Sequence, residues 1–146
     1  MKAPAAPAGY SGTPLPKKLG IKEGAPVLLF GAPAGFETTL GELPAGARLR
    51  RVTRTAGPAA GLTIWFVGSL RDLKKGMEAR AAGTGPGGLW ICWPKKASGV
   101  VTDLNENDVR AAGLARGLVD YKVAAIDSTW SGLKFARRVY TKPAAR

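Results

Sequence analysis

Residues 27–36 read Val27-Leu28-Leu29-Phe30-Gly31-Ala32-Pro33-Ala34-Gly35-Phe36. Val27 to Phe30 are four apolar residues without alternation, bounded by Gly24 and Pro26 before and Gly31 after. That pattern suits a strand buried on both faces. Phe36, Leu40 and Leu43 then recur at i, i+4 and i+7, which places them on one face of a short helix stopped by Pro44. Arg48 to Thr53 (RLRRVT) alternates weakly and predicts a second, half-exposed strand. Strand, glycine turn, helix and strand follow one another, and this β-α-β order decides the fold class.

The same order continues along the chain. Leu62 to Val67 (LTIWFV) is β-branched and aromatic, a strand ended by Gly68. Ser69, with Asp72 three residues on, is a cap signature. Leu70, Leu73 and Met77 line the apolar face of the helix it opens. Gly83 to Gly88 (GTGPGG) closes that helix, and Leu89 to Trp93 (LWICW) is a fully apolar strand closed by Pro94. Asp103 with Glu106 opens a further helix with Leu104, Val109 and Ala112 inward, broken by Gly113 and Gly117. Tyr121 to Ile126 is a strand, Asp127 to Gly132 (DSTWSG) is turn chemistry, and Leu133 to Val139 alternates as a returning strand. The expected fold is α/β: a small, open, mostly parallel Rossmann-like sheet with helices on its faces and a C-terminal antiparallel hairpin. Leu133 to Val139, read as an edge strand, offers pairing between subunits.

At 146 residues the chain is one domain by length. The expected organisation is a disordered leader over residues 1–9, a single α/β domain over 10–140 with a short helical turn at Pro16 to Leu19, and a frayed tail over 141–146. Apolar residues are 45% and charged residues 22%, the balance of a globular protein rather than a disordered one. Gly and Pro, 20 and 11, fall without a fixed period, which excludes collagen. No apolar run approaches the roughly 18 residues of a transmembrane helix. Residues 1–9 lack the apolar stretch of a signal peptide. One cysteine, Cys92, excludes an intrachain disulfide and a Cys-clustered zinc site, and the absence of histidine removes Ser-His, Cys-His and histidine-metal chemistry. No catalytic or metal-ligating residues are expected. Cys92 between Ile91 and Trp93 reads as buried and inert.

In open α/β sheets ligands bind beyond the carboxyl ends of the parallel strands. Those ends carry Gly31 and Gly35, Ser69, Lys95, Lys96 and Ser98. If Tyr121 to Ile126 also runs parallel, Asp127, Thr129, Trp130 and Ser131 turn at the same edge. These ten residues are the candidate ligand-binding set. Helices begin there too, and their N–H groups favour an anion. Each member also has a plainer reading. Gly31 and Gly35 suit a tight strand-to-helix connection, since no GKS or GKT follows them. Lys95 and Lys96 suit solvated loop lysines, and Asp127 suits a turn former. Trp130 either covers a ligand or packs on the arm at Tyr10.

Lys and Arg number 22 against 10 Asp and Glu, a net charge of +12, which favours anionic partners. No run reaches five like charges and aromatics are 8%, few for a surface that stacks single-stranded bases.

Two stretches resemble a small uncharacterised bacterial family. They are Gly9 to Phe36 (GYSGTPLPKKLGIKEGAPVLLFGAPAGF) and Leu89 to Arg138, the latter with WPKK-SG, TDL, GLVD-KV and D-TWSGLKF segments. That resemblance covers most of the chain and implies a cytosolic bacterial protein without naming an activity. More loosely, LGIKEGAPVLLFGAPAG resembles the opening of a class I methyltransferase, where a Gly-rich turn after the first strand meets S-adenosylmethionine. Pro33 stands where that family commonly has another glycine, and Arg50, Arg51 and Arg54 end the second strand in place of an acid. The likeness implies an eroded Rossmann-like sheet that has lost cofactor binding. The expected function is a non-catalytic module that binds an anionic small molecule or a protein partner at the carboxyl edge, with no cofactor. The alternatives are a degenerate S-adenosylmethionine-dependent methyltransferase and non-specific nucleic-acid binding.

Overall fold

The computed structural model describes residues 12–54 and 59–138. The expected leader, Tyr10 and the expected tail lie outside the described residues. In chain order the elements are α1 (Leu15–Leu19), β1 (Pro26–Phe30), α2 (Phe36–Leu40), β2 (Arg48–Arg51), β3 (Leu62–Phe66), α3 (Leu70–Ala82), β4 (Leu89–Pro94), α4 (Glu106–Leu114), β5 (Leu118–Ala125) and β6 (Trp130–Arg137), with a 3-10 turn at Lys96–Ser98. The six strands form one sheet in the order β2-β1-β3-β4-β6-β5. β1, β2, β3 and β4 are parallel, whereas β6 runs antiparallel to both β4 and β5. The α/β class, the open mostly parallel sheet and the C-terminal hairpin are as expected.

β3 and β4 are buried along their whole length because helices cover both faces. Successive side chains alternate across the sheet. Trp65, Ile91, Trp93, Leu133 and Phe135 meet Leu73 and Met77 of α3 and Val109 of α4 on one side. Leu29, Ile64, Trp90 and Cys92 meet Leu19 of α1 and Phe36 and Leu40 of α2 on the other.

Local differences from the expected elements have physical causes. Gly41, at φ 82°, ends α2 three residues before Pro44, although Leu43 still packs on the core. α4 is capped by Asn105, whose side chain accepts the Asp108 N–H, and not by Asp103. Leu104 is buried but precedes that helix. β5 starts at Leu118, because Gly117 takes a positive φ of 82° and turns the chain directly into the strand. The largest correction concerns the hairpin. β6 begins at Trp130 and lies between β4 and β5, so Leu133 to Phe135 are interior and the outer strand is β5. β5 has a register shift between Asp120 and Lys122 that leaves Tyr121 as an extra, unmatched residue.

α1 is too short to persist by itself, and side chains of the sheet hold its C-terminal end. Trp90 Nε1 and Lys134 Nζ donate to the Leu19 carbonyl at 2.9 and 3.1 Å, and Lys122 Nζ donates to the Lys18 carbonyl at 2.6 Å. Ammonium groups suit this negative end of a helix. Lys134 is only 7% exposed, and burial, with the charges of Lys122 and Lys22, pushes its pKa down. A Cβ at position 132 would come within 2.9 Å of the Trp90 ring and 3.3 Å of Cys92 Sγ, so Gly132 is what lets β6 close on β4.

Candidate functional site

The parallel strands β1, β2, β3 and β4 end at one rim, with Phe30, Arg51, Phe66 and Pro94. Antiparallel β6 starts at that rim, where Trp130 pairs with Pro94, and β5 ends there at Ala125. Gly31, Gly35, Ser69, Lys95, Lys96, Ser98, Asp127, Thr129, Trp130 and Ser131 therefore all border the carboxyl rim. From β1 the chain goes out to β2 on one side and returns to β3 on the other. Such a reversal opens a crevice between the loops that diverge there.

The crevice begins at Gly31. Its φ is 68°, and a Cβ would stand 2.8 Å from the Phe66 carbonyl oxygen, so β1 and β3 approach too closely here for any other residue. Gly35 also has positive φ, 81°, but faces open space, as does Gly68. The turn between Gly31 and Gly35 is held by Arg51 at the end of β2. Arg51 Nη1 and Nη2 donate to the carbonyls of Ala32 and Pro33, both at 2.8 Å. Its Nε and Nη2 reach the two carboxylate oxygens of Glu37 at 2.8 and 3.0 Å. The guanidinium hydrogen bonds hold the Glu37 carboxyl at about 2, against an ordinary 4.5.

The start of α3 is already satisfied from within. Ser69 Oγ accepts the Asp72 N–H at 3.1 Å, and Asp103 Oδ1 accepts the Leu70 N–H at 2.8 Å from across the rim. Thr102 Oγ1 donates to the Gly68 carbonyl at 2.8 Å, which fastens the loop after β4 over the start of α3. A carboxylate thus occupies the place where helix N–H groups would have drawn an anion, and Ser69 serves as a cap.

The far half of the rim is tied together by local bonds. The Lys95 N–H donates to the Thr129 carbonyl at 2.8 Å. Ser98 Oγ donates to the Lys95 carbonyl and accepts the Val100 N–H, at 2.6 and 3.1 Å. Asp127 Oδ1 accepts the N–H groups of Thr129 and Trp130 at 2.8 and 2.9 Å, the bonding of a turn former. Ser131 sits in the ladder opposite Trp93 and Ala125. Lys95 is half-buried, while Lys96 and Val101 are exposed. Trp130 is the first residue of β6, not part of a polar turn, and its ring meets Phe66 edge-on at 5.0 Å. Phe66 meets Phe36 edge-on at 4.9 Å. This aromatic row links the glycine loop to the Lys95 loop beneath the rim. Cys92 lies below it, and burial, with the nearby Asp127 charge, pushes its thiol pKa far up, as expected of an inert cysteine.

Glu37, Asp103, Phe36 and Phe66 were not in the candidate ligand-binding set. Glu37 carried one signal, an acid two residues after Gly35 in a chain with an arginine at the end of the next strand. Asp103 carried the signal of a cap but acts on the other helix. A second groove of about 530 Å³ lies between α3 and α4, lined by Leu70, Leu73, Met77, Ala112, Asp108 and Arg116 among others. Among the described residues no group of three or more His, Cys, Asp or Glu could hold a metal ion, and no helix is long and apolar enough to cross a membrane.

In Rossmann sheets a nucleoside ribose is held by an Asp or Glu about 20 residues after the first glycine of the turn. Arg51 takes that place, and a guanidinium has donors only. The end of β2 therefore lacks the carboxylate that holds a ribose in such sheets, and the carboxylate beside it, Glu37, is engaged by Arg51 at 2.8 and 3.0 Å.

No protein-family model and no curated protein matches the chain. Among solved structures it is similar to a SAM-dependent methyltransferase from Aquifex aeolicus, with 17% identity and a TM-score of 0.56 over 82% of this chain and 85% of that one. It is also similar to a protein from Thermoplasma acidophilum described as a methyltransferase, with 12% identity and a TM-score of 0.50 over 82% of this chain and 70% of that one. At these identities the likeness is one of fold, and the chain has the Rossmann-like fold of these methyltransferase structures.

Proposed function

We propose that the chain is a methyltransferase-fold module that binds an anionic small molecule along its carboxyl rim and has no assembled catalytic set. The observation that carries this reading is the meeting of four distant segments on one rim, with open space over Gly35 and Gly68. The charge supports an anion: the net charge is +12, and the rim carboxylates Glu37, Asp103 and Asp127 are each engaged in bonds within the chain. Those same bonds argue against a general base, which must be within reach of a substrate proton. Lys96 and the half-buried Trp130 are the side chains expected to respond to a ligand.

Tryptophan fluorescence, titrated with nucleotides and phosphorylated metabolites, tests this. A saturable change that Lys96→Ala weakens and Trp130→Phe removes is expected. Silence across the whole panel would overturn it. The fold likeness favours a second ligand, S-adenosylmethionine, although Arg51 stands where a ribose-binding acid is common. Calorimetric binding of that cofactor at millimolar concentration would replace the first reading with a degenerate methyltransferase. Nucleic-acid binding through net charge, the third reading, predicts affinity that falls steeply with salt and ignores both rim variants.

A further inference from the structure

We propose that Arg51 is the anion-recognition residue of the rim and that Glu37 is its resident counter-ion, displaced when a phosphate-type dianion arrives. This rests on the rim reading above and adds a ligand class and a gate.

The geometry has two halves. One edge of the guanidinium is fixed to the chain through the Ala32 and Pro33 carbonyls. The other presents Nε and Nη2 side by side to a carboxylate, at 2.8 and 3.0 Å. Paired parallel donors of this kind fit a phosphate as well as a carboxylate. Because the carbonyl bonds do not involve Glu37, the fork stays aimed when Glu37 swings away. Both partners are open to solvent, with side-chain exposures of 43% for Arg51 and 46% for Glu37, so the exchange uncovers no buried charge.

The class of ligand follows from the competition. Glu37 is tethered beside the fork, and tethering of this kind acts as a local concentration on the order of millimolar. A free monocarboxylate offers the same charge without the tether and loses. A dianion offers twice the charge and gains. Glu37 also remains ionised far below neutrality, held there by Arg51, so pH alone does not open the pair under ordinary conditions.

The test follows the Arg51 Nε–H signal by NMR in the full chain, titrated with inorganic phosphate at constant ionic strength. The signal is expected to move saturably. Glu37→Gln is expected to tighten phosphate binding about twofold to sixfold by removing the tethered competitor, the range that an exposed ion pair supplies. Acetate is expected to bind Glu37→Gln but not the parent chain at equal concentration. Arg51→Lys keeps the charge without the fork and is expected to weaken phosphate binding about tenfold. An unmoved Nε–H, or a phosphate affinity unchanged by Glu37→Gln, would overturn the proposal. If Trp130 fluorescence still reports phosphate with unchanged affinity in Arg51→Lys, the rim reading stands and the Arg51 gate falls. Silence at both Trp130 and Arg51 removes both. Should Arg51→Lys fail to fold by circular dichroism, Glu37→Gln, at an exposed position, decides alone.

Discussion

The two ends of the sheet are built in opposite ways. At the amino end the chain fills its own space. A Cβ on Gly61 would strike the Pro26 carbonyl, one on Gly85 the Ala59 carbonyl, and one on Gly87 the backbone of Gly61 and Leu62. Arg137 adds bonds to the carbonyls of Thr84 and Ala82 at 3.0 and 2.8 Å. At the carboxyl end Gly35, Gly68 and Gly99 face nothing within 4 Å. Glycine thus has two uses in one molecule. At Gly61, Gly85 and Gly87, as at Gly31 on the carboxyl rim, it permits backbones to touch, while at Gly35, Gly68 and Gly99 it keeps side chains out of the crevice. Only the second leaves room for another molecule.

Paired substitutions break this comparison most directly. Gly61→Ala is expected to cost about 1–3 kcal/mol through forced backbone movement, while Gly68→Ala stays within about 0.5 kcal/mol. Urea denaturation midpoints measure both, and equal losses would erase the distinction between the ends. A smaller effect belongs to the carboxyl rim itself. Asp103→Ala removes the acceptor for the Leu70 N–H and is expected to lower stability by about 1 kcal/mol. Full stability in that variant would show that the rim loop does not secure α3.

The smallest effect is a pH slope at the closed end. Burial depresses the Lys134 pKa. Between that depressed value and the ordinary lysine range the unfolded chain binds more protons than the folded one, so this residue makes stability rise with pH there. Tyr121, whose pKa is raised by burial, opposes that trend at its upper end. The difference between the parent chain and Lys134→Met isolates the lysine. An identical pH dependence in the two would contradict the shift.

Sequence patterns carried the parallel half of the fold because β1, β3 and β4 are apolar runs cut off by Gly31, Gly68 and Pro94. They did not carry the place of β6. Alternation says that Leu133 and Phe135 share a face, but it is blind to which strand lies beside them. That choice depends on pairing with Leu89 and Ile91, more than forty residues earlier. Capping was similarly ambiguous. Asp103–Glu106 and Asn105–Asp108 are overlapping acid-after-three patterns, and only packing of the loop against α3 assigns each cap to its helix. The rim set was legible as a set of loops. The Arg51 fork was not, since its partners Ala32, Pro33 and Glu37 lie 14 to 19 residues away and no local pattern joins them.

The extra residue in β5 sets the limit of the sheet. Tyr121 interrupts the even spacing of hydrogen-bonding groups midway along β5, one of the two outer strands. Another molecule extending the ladder from Leu118 would be out of phase before it reached Ala125. Lys122 and Asp120 flank that interruption and are bonded back onto the chain, to the Lys18 carbonyl at 2.6 Å and to Arg110 Nε at 3.0 Å. The β5 border is thereby finished rather than left ready for fibrous growth.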